Sequence, residues 1–316
     1  MPEPFRWGIL GAARINLRFV PGLRTTNHQI AIIGSRDPAK GQAAAAQFGA
    51  ERVGSYDDVL NARDVDAIYI PLPNSLHVPW AMRAAEAGKH VLCEKPLAPS
   101  IEECATMVAA AERHGTHLVE AFMYRYHPQW QLVWDTIRSG RIGTVQMLRA
   151  SFQFGQRDPN NVRLRPELGG GVLQDAGCYC INVARWFLGE PTRVHGIALD
   201  RQGSGVDTHC AAALEFASGA LAALSCSFET ERVQTVEISG ERGRIDVLTP
   251  FVAADQAQVR ILDASGERIE TLPSANAYGL ECLAMERLVR EGAPVLTPAT
   301  DAAKTQAVIA AWKAAK

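Results

Sequence analysis

Glu94-Lys95-Pro96 is the stretch of this chain whose residue types and spacing most plainly could do chemistry. An acid, an ammonium and a proline close the apolar run His90-Val91-Leu92-Cys93, and a helical pattern opens just beyond. The carboxyl edge of a strand in an open α/β sheet is where ligands bind. Pro96 also pushes Lys95 away from helical dihedrals, which holds its side chain at that rim. The bland alternative is a surface lysine ahead of a helix-starting proline. A second stretch runs from Arg163 through Gly169-Gly170-Gly171 to Asp175 and Tyr179. The last two are four apart at the start of a helix reaching about Leu188, so they share a face one turn apart. The glycines before them permit close approach to another surface. An ammonium favours the phenolate form of a nearby tyrosine, which otherwise titrates near about 10. Tyr179 could then take a proton from a sugar hydroxyl or return one to a carbonyl. Asp175 could orient the substrate through another hydroxyl. The alternative makes Asp175 a helix-start residue and Tyr179 a core filler.

These residues need a scaffold, and the first half of the chain reads as one. Phe5 to Leu10 is a buried strand that runs through Gly11-Ala12-Ala13-Arg14-Ile15-Asn16 into a helix. A tight turn feeding a helix amino terminus binds anions. Of the dinucleotide fingerprint G-x-G-x-x-G only Gly11 is kept, with Ala13 and Asn16 at the later positions. Arg14 could meet a phosphate or simply face solvent. The strand His28 to Gly34 ends at Ser35-Arg36, where an acid would bind the ribose of NAD and an arginine instead accommodates the extra phosphate of NADP. NADP(H) is therefore the expected cofactor, with NAD(H) as the alternative. Asp37 falls one place later and suits a helix start before Pro38. The strand Val65 to Ile70 ends at Pro71-Leu72-Pro73-Asn74-Ser75-Leu76-His77, a stiff loop suited to the nicotinamide half of a cofactor. Asn74 and His77 could equally be a cap and a surface histidine. A last strand over 116–121 completes a doubly wound alternation. The segment 122–128 then reads as a hinge, with Tyr124, Arg125 and Tyr126 either lining a pocket or packing the junction.

Beyond about Arg138 the rhythm changes to strands at short spacing over 145–155, 192–199, 209–216, 220–228, 233–239, 244–248, 258–262 and 269–272. Turn residues between them argue a largely antiparallel sheet. Helices over 278–290 and 301–315 close the chain. Several strands are apolar on both faces, so helices must cover one and another subunit the other. The domains expected are 1–121, a dinucleotide-binding unit, and 122–316, a substrate-binding and oligomerisation unit whose closing helices can pack back on the first.

Composition is that of an ordinary globular chain: 316 residues, 47% hydrophobic, 21% charged, formal net charge −2. No basic stripe invites nucleic acid or anionic lipid. Seven scattered cysteines suit buried free thiols in a reducing compartment better than a disulfide framework. Cys178 and Cys180 look like two ligands of a metal pair, but no second pair with suitable spacing exists, so no metal is expected. The first strand begins too early for a secretory leader, and no apolar run is long enough to span a bilayer. A cytoplasmic location is expected.

Taken in order, Gly11-Ala12-Ala13-Arg14-Ile15, Pro73-Asn74-Ser75-Leu76-His77, Glu94-Lys95-Pro96 and Gly170-Gly171 through Asp175-Ala176-Gly177-Cys178-Tyr179 resemble the glucose–fructose oxidoreductase/inositol dehydrogenase (Gfo/Idh/MocA) family over the whole chain. The resemblance implies a Rossmann domain followed by an α/β domain with a large, mostly antiparallel open sheet. It also implies an active site between the two and a homodimer or homotetramer associating through that sheet. Lys95 then matches the lysine of the family's motif, Asp175 the substrate-positioning acid, and Tyr179 the proton donor/acceptor. Cofactor contacts are expected from Gly11, Ala13, Arg14, Ile15, Ser35, Arg36, Pro71, Asn74, His77, Glu94 and Lys95. Substrate contacts are expected from Lys95, Tyr124, Arg125, Tyr126, Arg163, Arg165, Asp175 and Tyr179. A tyrosine at 179 is similar to the aldose dehydrogenase and dihydrodiol dehydrogenase branches. The expected reaction is NADP-dependent oxidation of an aldopyranose such as D-xylose or D-glucose at C1 to a lactone. Alternatives are an NADPH-dependent keto- or anhydro-sugar reductase, a trans-dihydrodiol dehydrogenase acting on a cyclic alcohol, and a non-catalytic NADP-binding sensor.

Overall fold

The computed structural model describes residues 3–253 and 256–315. The chain divides into two compact units, crossing between them at Tyr126, Asn276 and Lys304. The first unit therefore takes in 276–303 as well as the amino-terminal half.

In the first unit, β1 (Arg6–Leu10), α1 (Asn16–Leu23), β2 (Gln29–Gly34), α2 (Pro38–Phe48), β3 (Arg52–Gly54), α3 (Tyr56–Asn61), β4 (Ala67–Ile70), α4 (His77–Glu86), β5 (His90–Glu94), α5 (Ile101–Arg113) and β6 (Leu118–Ala121) alternate along the chain. Among the described residues the strands form one six-stranded sheet in the order β3-β2-β1-β4-β5-β6. Every pairing in it is parallel. Period-2 side-chain alternation splits its core in two. Leu10, Ile32, Ile68, Val91 and Cys93 pack with α3, α4 and α5, while Trp7, Ile9, Ile33, Tyr69 and Leu92 pack with α1 and α2. Strand order reverses between β1 and β4, which is where a doubly wound sheet opens its ligand crevice.

The second unit opens with α6 (Gln129–Arg138), β7 (Val145–Gln153), α7 (Cys178–Leu188), β8 (Pro191–Leu199), β9 (His209–Phe216), β10 (Leu221–Ser227), β11 (Val233–Gly240), β12 (Arg244–Val247), β13 (Gln258–Asp263) and β14 (Gly266–Thr271). Among the described residues these strands form an eight-stranded sheet in the order β14-β13-β12-β11-β7-β10-β9-β8. All pairings are antiparallel except β7 with β10. The expected architecture, a Rossmann domain and then a large, mostly antiparallel sheet, is the one observed. α8 (Ala277–Glu291) belongs to the first unit, and α9 (Ala302–Ala314) crosses from one unit into the other. Trp312 of α9 packs on the inner face of β8, donating its indole N–H to the Ile197 carbonyl at 3.2 Å. Gly196 makes this approach possible, because a Cβ there would lie 2.6 Å from the indole ring. All seven cysteines are buried and unbridged. No helix among the described residues is long and apolar enough to cross a membrane.

One element departs from the sequence reading. The helix carrying Asp175 does not start as a regular α-helix: Leu173–Gly177 is a π-helical turn, and α7 follows from Cys178. Gly177 lets this wide turn lie close to β10, since a Cβ there would meet the Cys226 sulfur at 3.1 Å. Asp175 and Tyr179 are thus joined across a change of helical pitch, a device frequent at functional sites.

Candidate active site

The first unit offers a cofactor cradle at the carboxyl ends of β1, β2 and β4. Gly11 has φ +119°, a conformation other residues rarely adopt, and its N–H donates to the Gly34 carbonyl at 2.9 Å. Where the fingerprint has its last glycine, buried Asn16 donates Nδ2–H to the Gly11 carbonyl at 2.9 Å. The side chain therefore ties off the turn that glycines usually make, and sequence reading noted Asn16 only as a missing glycine. Two adjoining cavities open here. One, about 420 Å³, is lined by Gly11, Ala13, Ser35, Arg36, Lys40 and Pro71, among others. The other, about 630 Å³, is lined by Ser35, Arg36, Gln42, Tyr56, Leu76 and Trp80, among others. Arg36 is exposed and borders both. Asp37 is spent as the α2 cap, accepting from the Ala39 and Lys40 amides at 3.0 and 3.2 Å. It leaves the strand end to Ser35 and Arg36, as the sequence suggested. Lys40, Tyr56 and Trp80 were not foreseen. Lys40 lies one turn beyond Arg36 on the start of α2, so helical spacing could have found it; the two aromatics come from α3 and α4 and could not be placed from spacing. Arg14 is exposed and Ile15 half-buried at the head of α1. Asn74 sits in the short 3-10 turn Asn74–Leu76 and does not cap α4 with its side chain.

The lysine lies at the end of β5. Lys95 is half-buried, and its bond to Pro96 is cis. Its surroundings are braced from three sides. The Tyr69 hydroxyl donates to Glu94 Oε1 at 2.5 Å, with its ring stacked on Phe19 at 3.7 Å between centroids. Glu120 accepts the Leu97 amide at 2.9 Å. His77 is wholly buried, its ring nitrogens 3.0 Å from the Pro96 carbonyl and 2.8 Å from the Leu72 carbonyl. This corrects the expectation that His77 contacts the cofactor: the ring is consumed in joining the loops after β4 and β5. Burial lowers its pKa, with the backbone carbonyls opposing. A neutral ring has a single N–H, so it donates to one of the two carbonyls. Near the end of the first unit Tyr124 is buried against Phe122, and the Tyr126 hydroxyl meets Thr297 at 3.1 Å. These two tyrosines are packing residues of that unit, while Arg125 beside them is half-buried.

In the second unit the structure brings Arg163 onto Asp175, Nε to Oδ2 at 2.6 Å. Arg165 instead pairs with its neighbour Glu167 on the surface. The turn that carries Asp175 is fixed by Asp207, which accepts the Leu173 N–H at 2.7 Å on Oδ1 and the Val172 N–H at 2.8 Å on its carbonyl. Gly171, at φ +118°, makes room for that carboxylate: a Cβ would lie 2.9 Å from Oδ2. Sequence reading gave Asp207 no role. Tyr179 is largely buried, its ring against Phe152 and Phe251 at 5.4 and 5.3 Å. A phenol held in an aromatic wall keeps one orientation, which suits directed proton transfer.

A nucleotide cradle and a braced lysine in the first unit, with Asp175 on a π-turn and Tyr179 on the helix after it in the second, point to a nicotinamide-dependent oxidoreductase, and the comparisons agree. Residues 5–122 match the oxidoreductase family with an NAD-binding Rossmann fold, and residues 130–246 match the GFO/IDH/MocA C-terminal domain. The chain belongs to the GFO/IDH/MocA family and is an NAD(P)-dependent oxidoreductase acting on CH–OH groups. It is 37% identical to a D-xylose 1-dehydrogenase (NADP(+)) 2 of Haloferax volcanii, over 96% of this chain and 94% of that one. It is 35% identical to a dTDP-3,4-didehydro-2,6-dideoxy-alpha-D-glucose 3-reductase of Saccharopolyspora spinosa, over 95% of this chain and 92% of that one. Among solved structures it superposes on KijD10, a 3-ketoreductase from Actinomadura kijaniata in complex with NADP and TDP-benzene. The TM-score is 0.91 and identity 30%, over 98% of this chain and 97% of that one. These findings correct the expected branch. Reductases of the 3-keto group recur among the curated relatives and the structural matches. They overturn the assignment to the aldose and dihydrodiol dehydrogenase branch, and with it oxidation of an aldopyranose to a lactone.

Proposed function

We propose that this protein is an NADPH-dependent ketoreductase acting on a keto group of a sugar ring, with nucleotide-activated deoxysugars as the substrate class. The observation that carries the cofactor half is Arg36, exposed between two cavities at the β2 end beside Gly11, with Ser35 and Lys40 around it. Arg36 and Lys40 suit a ribose carrying a phosphate, because the neighbouring Asp37 is held as the α2 cap. Gly11 lines the smaller cavity at φ +119°, a conformation side chains rarely adopt, so the turn presents bare backbone to a ligand there. When bound, NADPH supplies the hydride. The chain's own residues handle orientation and the proton. Tyr179 donates its phenolic proton to the carbonyl oxygen as that carbon becomes CH–OH, and Lys95 is the cation assigned to the same reaction. Asp175, steadied by Arg163, accepts from a neighbouring hydroxyl of the sugar. The same chemistry in the relatives named 3-reductases supports the direction. A homodimer or homotetramer formed through the open face of the large sheet completes the proposal.

The test is consumption of NADPH by purified protein with a dTDP-3-keto-deoxysugar, with other keto-sugars and NADH as comparisons. Loss of reduced-nicotinamide absorbance with formation of the sugar alcohol supports the reading. Binding of NADPH without turnover on any keto-sugar defeats it.

A further inference from the structure

From Gly171 to Cys180 every residue is buried but one, and the exception is Asp175. The turn that carries it, Leu173–Gly177, is π-helical, so regular α-helical bonding does not set its pitch. Successive residues of a helix point about 100° apart. A modest rotation of the turn would therefore present Gln174 or Ala176 and bury the carboxylate. Its rotation has to be fixed from outside.

The last helix supplies the ties. Gln306 and Lys313 of α9 stand two turns apart on one face, and both reach the segment that carries Asp175. Gln174 and Gln306 are buried, and their amides bond each other reciprocally. Gln174 Nε2–H donates to Gln306 Oε1 at 3.1 Å, and Gln306 Nε2–H donates to Gln174 Oε1 at 2.9 Å. Lys313 Nζ lies 2.9 Å from Asp207 Oδ2, and Oδ1 of the same carboxylate accepts the Leu173 N–H. Beyond Tyr179, the Arg185 guanidinium of α7 donates to Thr305 Oγ1 at 2.8 Å. Asp175 and Tyr179 thus lie between ties to a single helix. The amide pair does what the apolar packing around it cannot. Two apolar side chains would fill the same space with less uniqueness of arrangement. Two reciprocal hydrogen bonds have one geometry, and losing it leaves buried polar groups unpaired.

We propose that Gln174 and Gln306 are positioning residues: their amide pair sets the rotation of the π-turn and so keeps Asp175 presented to the sugar. The inference rests on the reading of Asp175 as the acid that accepts from a sugar hydroxyl. It separates stability from positioning, because an apolar pair can replace the first and not the second.

The experiment compares full-length wild type with Gln306→Leu and with the double variant Gln174→Leu, Gln306→Leu. The single leucine orphans the opposite amide, so Gln306→Leu should lose both melting temperature and activity. The double variant removes both amides, and its melting temperature should return close to that of wild type. Its kcat/KM for the keto-sugar should nonetheless stay down by about tenfold or more. KM for NADPH should be unchanged, since the cofactor cradle belongs to the first unit. Wild-type kcat/KM in the double variant would make the pair core packing and overturn the inference. Hydrogen exchange followed by mass spectrometry reads the turn without turnover. Amides of residues 173–177 should exchange about fivefold faster in the double variant, while those of β9 and β10 keep their protection. Equal protection of the turn in both proteins would also overturn it. Should the leucine pair fail to fold, Gln174→Met with Gln306→Met, closer to glutamine in length, takes the same readings. If the wild-type protein reduces no keto-sugar, the functional proposal fails on its own account, while melts and exchange still decide whether the pair sets the turn.

Discussion

Residue by residue, the proposal divides labour between a phenol and two cations. Tyr179 is the one candidate that can both give and take a proton while held by aromatic neighbours. Tyr179→Phe keeps that packing and removes the proton, so kcat for keto-sugar reduction should fall by about 10²-fold or more, with NADPH affinity by fluorescence titration little changed. Wild-type turnover in this variant would remove Tyr179 from the mechanism. Arg36 is expected to act on the cofactor alone. Arg36→Ala should raise KM for NADPH by about tenfold, the worth of one charge-assisted contact, while KM for NADH moves little. Steady-state kinetics with both cofactors checks this, and equal changes would sink the assignment. Lys40 stands close enough to share the task, and a double variant would show whether the two effects add.

At the scale of elements, the structure depends on turns whose side chains replace expected backbone features. Asn16 substitutes for a fingerprint glycine by bonding the Gly11 carbonyl, so Asn16→Ala should cost about 1–2 kcal/mol, measured by urea unfolding. It should also weaken NADPH binding, because the same turn frames the cofactor cavity. The edge between β1 and β2 carries a second buried polar link. Trp7 donates its indole N–H to His28 Nδ1 at 3.1 Å, which leaves Nε2–H to face Glu286 at 3.0 Å. The ring is therefore neutral. Burial lowers its pKa from the ordinary 6.5, and Glu286 only partly opposes this. In the unfolded chain the ring takes up a proton as pH falls through about 6.5, and in the folded chain it does so only at lower pH. This contribution is thus fully present above pH 6.5 and is lost as pH falls below it. Melting temperatures of wild type and His28→Gln, compared over that range, should converge as the medium is acidified. A gap that does not change with pH would refute the account.

At the scale of the whole molecule, the large sheet has one face packed and one that alternates outward through His195, Ile197, Ala211, Ala213, Leu221 and Ala223. Ile197 is 60% exposed and Leu221 45%, on strands that lie near one another in the sheet. Apolar strand residues on an open face are what a second copy would cover. Ile197→Glu should shift the protein to a smaller species by light scattering, with cofactor binding retained. An unchanged mass would place any assembly on another surface.

Much of this was legible in the chain itself, and the reasons are local. Strand-turn-helix alternation and runs such as Ala67–Ile70 need only periodicity and length to be read. Arg36 and Asp37 could be told apart because one residue of offset separates a strand end from a helix cap. Lys95 and Asp175 stood out because their neighbours, a proline and a run of glycines, restrict the backbone around them. What depended on distant parts of the chain was not legible. His77 looked like a loop residue and became a buried brace, because two carbonyls from separate loops converge on it. The start of the Asp175 helix became a π-turn because Gly177 rests on β10 and Asp207 holds its amides. Glu281 looked like one more helix glutamate, yet it lies in the interior, 1% exposed. Local composition decides which elements form and what chemistry they carry; which polar groups lose their water depends on long-range packing, and only the tertiary structure decided that.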